Sequence, residues 1–270
     1  MEKSIFKNRY LHLSLKVSVA VQVISAVIQF FPMFMVVPPA YIILKQLLFL
    51  ENIVQVVQGS FYAWLIYNIK NETNITSKRY MDWAITTPIM LITLICYMIF
   101  LRTNNENNKN IETMQTMQNI HDIQDIEKTQ KQIDIFSILR ENSAVIITIV
   151  LLNALMLLFG YLGEINVIPV IWGILIGFIP FIIYYYLIYN NFVKSDTNTD
   201  TNITNTQSNI NTTILKLFLY FVFFWSLYGL IGFLPYYVKN TLYNIIDLFS
   251  KNFFGILLSY LIFTNSVKNS

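Results

Sequence analysis

The sequence predicts an all-α membrane protein folded as a single seven-transmembrane-helix bundle over residues 1–270. Three observations predict it. The chain is 55% apolar and only 12% charged, roughly half the charged share of a soluble domain. Its apolar residues come in blocks long enough to cross a hydrocarbon core about 30 Å thick. Seven such blocks follow one another, near 10–31, 41–69, 79–101, 142–163, 166–191, 214–236 and 240–264. Backbone groups in lipid must find partners within their own segment, so each block is a helix.

The first block is a span and not a cleaved leader, because Gln22 and Gln29 interrupt it and no small-residue cleavage site follows. Pro32, Pro38 and Pro39 end it. The second block carries Glu51, Gln55, Gln58 and Tyr62 at offsets 0, 4, 7 and 11, a polar stripe among Ile53, Val54, Val56 and Val57. Such a stripe faces the bundle interior. It lines an ion path or hydrogen-bonds neighbouring helices, at roughly 0.6 kcal/mol per bond. The third block opens with RYMDWAITTP, residues 79–88. Arg79, Asp82, Thr86 and Thr93 share one helical face there, and Pro88 removes a backbone hydrogen bond.

Between the third and fourth blocks, residues 103–135 are rich in Asn, Gln and charge. Ile111, Met114, Met117, Ile120, Ile123 and Ile126 recur at every third position. This spacing suits an amphipathic helix on the membrane or extending the fourth span, or else a weakly formed solvated helix. Gly163 and Pro169 close the fourth block. Residues 195–213 are almost all Ser, Thr, Asn, Asp and Gln and predict a flexible low-complexity loop.

The net charge of +3 is small and scattered, which argues against a nucleic-acid partner; lipid is the expected surrounding. The single cysteine, Cys96, precludes a disulfide framework within the chain. His12 and His121 lie far apart, and no pair of His or Cys has metal-ligand spacing. Lys and Arg divide almost evenly between the two sets of connections, so charge alone leaves the orientation open. Two sequons, Asn71-Glu-Thr and Asn74-Ile-Thr, would place their loop outside if used.

The last block holds the chemistry. Asn244, Asp247 and Lys251 share a face amid Ile245, Ile246, Leu248, Phe249, Phe253 and Phe254. Ionisable residues inside a span are costly and mark function. The ordinary alternative is a structural Asp–Lys pair at i, i+4. On a soluble surface that pair is worth about 0.3–0.5 kcal/mol, and burial works against it. A desolvated lysine instead suits imine formation with an aldehyde. Protonated, that imine needs an anion. The expected constellation is one cation at Lys251 held by Asp82 and Asp247, with Arg79 balancing the charge.

These residues resemble the microbial (type 1) rhodopsins. RYMDWAITTP matches the family's third-helix signature, DLFSKNFFG (247–255) its seventh-helix lysine signature, and WSLY (225–228) its sixth-helix pocket. The resemblance covers all seven spans. It implies all-trans retinal bound as a Schiff base on Lys251, with Asp82 and Asp247 as counter-ions and Arg79 as charge balance. It implies a pocket of Trp83, Thr86, Thr87, Met90, Met156, Gly160, Trp172, Trp225 and Tyr228, with Asn153 at pocket spacing in the fourth helix. Met90 falls where related proteins tune colour, and its apolar side chain leans toward green. The resemblance also implies an outside N-terminus, cytoplasmic connections at 103–135 and 195–213, and a homo-oligomer, trimeric or pentameric.

Departures from the family pattern carry the function. Proton pumps of the family commonly place a carboxylate eleven residues after the first counter-ion, where this chain has Thr93. The connection between spans six and seven lacks Asp and Glu, so it holds no acidic proton-release pair. The retained Asp82 argues against a chloride pump. The second-span stripe resembles that of the rhodopsins of large algal viruses, one group of which includes light-gated cation channels. Where that group often has a second acidic residue, this chain has Gln58. The expected function is a light-gated channel for monovalent cations or protons, its path formed by Glu51, Gln55, Gln58, Tyr62, Thr93 and Asn244. Outward proton pumping and sensory signalling through a partner are the alternatives. An imine-forming enzyme would need a catalytic group open to a diffusible substrate, whereas both aspartates look enclosed, so no enzymatic activity is expected.

Overall fold

A computed structural model describes residues 2–69, 74–117, 133–194 and 205–267. Among these, seven helical stretches are long and apolar enough to cross a membrane: Arg9–Phe34, Pro39–Asn68, Ile75–Asn107, Ser143–Glu164, Val170–Val193, Asn209–Ile231 and Tyr236–Ser266. The helices are α1 (Glu2–Phe30), α2 (Ile42–Asn68), α3 (Ile75–Met117), α4 (Ile135–Glu141), α5 (Ser143–Glu164), α6 (Val170–Ile188), α7 (Asn205–Ile231), α8 (Tyr236–Ser250) and α9 (Asn252–Val267). Helices α8 and α9 together form the seventh span. The end of α2, the start of α3 and the turns at 165–169 and 232–235 lie at one end of the bundle, here the N-terminal end. The chain leaves α9 at the opposite, C-terminal end.

Prolines and threonines are accommodated where the bundle is polar inside. Pro88 sits within α3 without ending it. Beside it the Thr86 and Thr87 hydroxyls donate to the carbonyls of Asp82 and Trp83, at 2.9 and 2.8 Å. At the turn after α5, Asn166 takes a φ of 60°, a left-handed conformation that Asn tolerates better than most residues. A π-turn over Tyr189–Val193 ends the fifth span. There the Arg102 guanidinium donates to the carbonyls of Val193 and Lys194.

Helices α5 and α6 approach most closely because both present glycine. A Cβ on Gly173 would lie 2.8 Å from the Phe159 carbonyl and 2.9 Å from Gly163 Cα. Small residues of this kind let helix backbones meet in lipid.

Three expectations from the sequence need correction. The first part of the connection 103–135 forms neither an extension of the fourth span nor a separate surface helix. Residues 103–117 continue α3, whose 43 residues make a rod about 65 Å long. Residues 118–132 lie outside the described set. What precedes the fourth span is the short α4. Asp134 caps it, accepting from Ser137 N at 2.7 Å while Ser137 Oγ accepts from Asp134 N. These bonds from Ser137 hold the Asp134 carboxyl below the usual carboxylate range. The loop expected over 195–213 is also shorter, since α7 already begins at Asn205. A helix nucleated by the apolar run from Ile214 propagates backward at one hydrogen bond per residue, and Ile210 packs on the core. Residues 195–204 lie outside the described set. The fifth span starts at Val170, behind Pro169, and not at 166.

Candidate functional site

The charged residues meet at mid-bundle. Lys251 occupies the break between α8 and α9, and its backbone N–H still reaches Asp247 O at 3.2 Å. Its Nζ lies 2.5 Å from Asp82 Oδ2 on α3, with both side chains almost fully enclosed. Asp247 is held otherwise. Tyr62 donates to its Oδ2 at 2.7 Å, Tyr228 to its Oδ1 at 2.6 Å, and Arg79 Nη1 lies 3.3 Å from Oδ2. The expectation of one cation between two acids therefore changes. Two cations and two acids form two separate pairs, and no Asp247–Lys251 side-chain pair is formed.

Arg79 is fully buried and satisfied by amides as well as by charge. Its Nε donates to Asn240 Oδ1 at 3.2 Å, and its Nη2 donates to Asn244 Oδ1. Asn240 is itself fixed by donating to Thr76 Oγ1 and Tyr236 O. The rings of Phe61, Tyr62 and Tyr243 surround the guanidinium at 5.5–5.7 Å. A buried charge without such partners would be strongly destabilising.

On its other side Lys251 faces a cavity holding about 890 Å³ of unfilled space, its open mouth included. Trp83, Thr87 and Met90 from α3, Met156 and Gly160 from α5, and Trp225 and Tyr228 from α7 line it. Trp83 sets its edge on Tyr228 and Tyr243, each at 5.3 Å between ring centres. Glycines let neighbouring groups pack close around it: a Cβ on Gly229 would meet the Phe178 ring at 2.5 Å. An amine paired with an acid at one wall, aromatic rings elsewhere and glycines between them fit a long apolar aldehyde.

Two pocket expectations are corrected. Trp172 is 58% exposed, on the outward face of α6. Gly173, Ile174, Gly177, Phe178 and Phe181 line the cavity from that helix instead. Thr86 lies on the Asp82 face of α3 and not in the cavity wall. Asn153 is buried behind the wall, donating to Thr87 Oγ1 at 2.8 Å. Sequence reasoning also missed Tyr80, Tyr243 and Ser250 as lining residues. Tyr80 and Ser250 adjoin recognised motif positions; Tyr243 lies on α8, one turn from Asp247.

The second-span stripe is buried along its length: Glu51, Gln55, Gln58 and Tyr62, with Thr93 and Asn244 beside it. A parallel stripe on α1, Ser18, Gln22, Ser25 and Gln29, is equally buried and was missed. Its spacing of four, three and four is the available signal. Gln55 Nε2 donates to Gln22 O at 2.8 Å, and Ser18 Oγ to Asn244 O at 2.9 Å. Asn252 and Ser259 on α9 are buried too, and Gln29 packs directly against Gly255. Yet both Glu51 oxygens, both polar atoms of Gln58 and of Asn252, Gln22 Nε2 and Gln29 Oε1 have no hydrogen-bond partner. Thr93 faces the Glu51 carboxyl, but its hydroxyl donates to Ile89 O. Among the described residues, no group of three or more His, Cys, Asp or Glu is placed to hold a metal.

A family model described as bacteriorhodopsin-like protein matches residues 10–265. No curated protein matches the chain. The viral rhodopsin OLPVRII superposes with a TM-score of 0.67 at 26% identity, over 94% of this chain and 98% of that one. Xanthorhodopsin, a light-driven ion pump with dual chromophore, gives 0.65 at 15% identity over 97% and 96%. The rhodopsin of Exiguobacterium sibiricum gives 0.62 at 18% over 96% and 97%. At these two identities the likeness is one of fold.

Proposed function

Because the chain belongs to the bacteriorhodopsin-like family, and so is a retinal-binding, light-driven protein of the membrane, we propose that it is a light-gated cation channel. The observation that carries this reading is the seam of buried, unpartnered polar atoms between α1, α2 and the seventh span. Buried groups of that kind take water as partners. Amides and a carboxylate that hold water along a bundle axis offer a cation successive replacements for its hydration shell.

Lys251 is the residue we assign to hold retinal, as the all-trans isomer. When bound there, retinal supplies light absorption and a change of shape. Asp82, 2.5 Å from Lys251 Nζ, neutralises the positive nitrogen and is the nearest proton acceptor. Asp247 neutralises Arg79 and is oriented by Tyr62 and Tyr228. Trp83, Met90, Met156, Trp225 and Tyr228 confine the chromophore. Thr93 has no ionisable proton, so that position of α3 supplies no proton donor to the Lys251 nitrogen.

On this reading the seam is closed at both ends. Arg79, Asn240 and Asn244 fill its N-terminal end, assigned to the outside. Leu44, Leu47 and Leu48 of α2, Leu94 of α3 and Leu258 of α9 fill the other. Apolar constrictions of this sort gate by excluding water. Voltage clamp of illuminated cells expressing the protein tests the reading. A photocurrent that changes sign at a potential set by the cation gradient supports a channel, and Glu51→Gln should reduce it severalfold or alter its selectivity. Current that keeps one direction at every potential supports outward proton pumping instead.

A further inference from the structure

We propose that the ion pair between Glu164 and Lys239 is a latch closing the N-terminal end of the chromophore cavity against water and small nucleophiles. The inference rests on the assignment of that cavity to retinal. The same cavity that exposes Lys251 runs past Trp83 and Tyr243 to Glu164, the last residue of α5. There Lys239 Nζ donates to Glu164 Oε2 at 2.7 Å, with side chains 9% and 11% exposed. The pair is thus the boundary between the cavity and the aqueous end of the bundle.

Three features argue against an incidental surface contact. Exposed pairs contribute little, but this one is nine-tenths enclosed. A carboxylate at a helix C-terminus opposes the helix dipole, so Glu164 is poorly placed unless a cation meets it. The pair also ties the end of the fourth span to the start of the seventh. The end of α5 is pinned further by Asn74 Nδ2, which donates to the Glu164 carbonyl at 3.3 Å. The turn carrying Asn74 is in turn held by Ile75 N donating to the Tyr236 hydroxyl. Neither Glu164 nor Lys239 has a part in the proton or ion chemistry assigned above.

Hydroxylamine bleaching in the dark tests the latch. The reagent's amine attacks the retinal carbon bound to Lys251, a new carbon–nitrogen double bond forms, and the lysine leaves as a free amine; nothing is oxidised or reduced. Glu164→Gln and Lys239→Gln should each bleach about tenfold faster than wild type, the factor expected for loss of one charge-assisted hydrogen bond. The exchanged pair, Glu164→Lys with Lys239→Glu, should recover slow bleaching. Single variants that keep the wild-type absorption band and melting temperature yet bleach at the wild-type rate overturn the latch. If a single variant does not fold, Glu164→Cys with Lys239→Cys, bridged by a reducible cross-linker, replaces it. Faster bleaching after the bridge is reduced supports the latch, and an unchanged rate refutes it. Wild-type protein that takes up no colour from retinal would instead overturn the chromophore assignment itself.

Discussion

Asp82 and Asp247 are the same residue type in the same bundle, and their partners give them different work. Asp82 touches Lys251 Nζ and keeps one oxygen without a partner. Asp247 is saturated by Arg79, Tyr62 and Tyr228. Asp82→Asn should therefore act on the chromophore. Without an anion beside the positive nitrogen, the visible band moves to longer wavelength, which an absorption spectrum checks. Asp247→Asn should act on the fold, since it leaves the Arg79 guanidinium buried without its anion. A loss of about 3–5 kcal/mol is expected, read as a lowered melting temperature of the retinal-free protein. The two aspartates were legible in the sequence because a carboxylate in an apolar span is conspicuous. Their division of labour was not, because it depends on tyrosine and asparagine rotamers on three different helices. Trp172 shows the limit from the other side. Before Tyr184, α6 carries no polar residue to mark a face. Sequence therefore offered no way to tell that Gly173 and Gly177 turn inward while Trp172 turns to lipid.

At the scale of the helix, packing overrode composition twice. Residues 103–117 and 205–213 read as polar connections, yet both extend helices nucleated in the membrane. Local propensity is weak against the gain of adding one residue to an existing helix. The contact between α5 and α6 was not foreseen: Gly163, Gly173 and Gly177 let the two backbones meet where any Cβ would crowd its neighbours. Gly173→Val should be resisted there, because even its first carbon meets the Phe159 carbonyl. Overpacking of this kind typically costs about 1–3 kcal/mol, and thermal unfolding of the variant in detergent measures it. The polar stripe of α2 was readable from its period. Its counterpart on α1 was visible only as glutamines that interrupted an apolar run, and became a stripe once Ser18 and Ser25 were seen on the same face.

For the molecule as a whole, seven spans were readable by length and hydropathy, because a bilayer leaves a chain few solutions. What joins the spans was not readable in that way. The polar seam takes side chains from α1, α2, α3, α8 and α9, and the cavity takes them from α3, α5, α6, α7 and α8 together with Lys251. Lys251 stands between the two, with its amine toward Asp82 and its chain along the cavity wall. Under the proposed function, a change in the cavity reaches the seam through the Lys251–Asp82 pair. This coupling requires that the chromophore be joined to that one amine. The direct measurement is the absorption spectrum of purified protein after incubation with all-trans retinal, wild type beside Lys251→Ala. A visible band in the wild type that is absent from the variant is the predicted result; a band of equal strength and position in the variant would contradict the account.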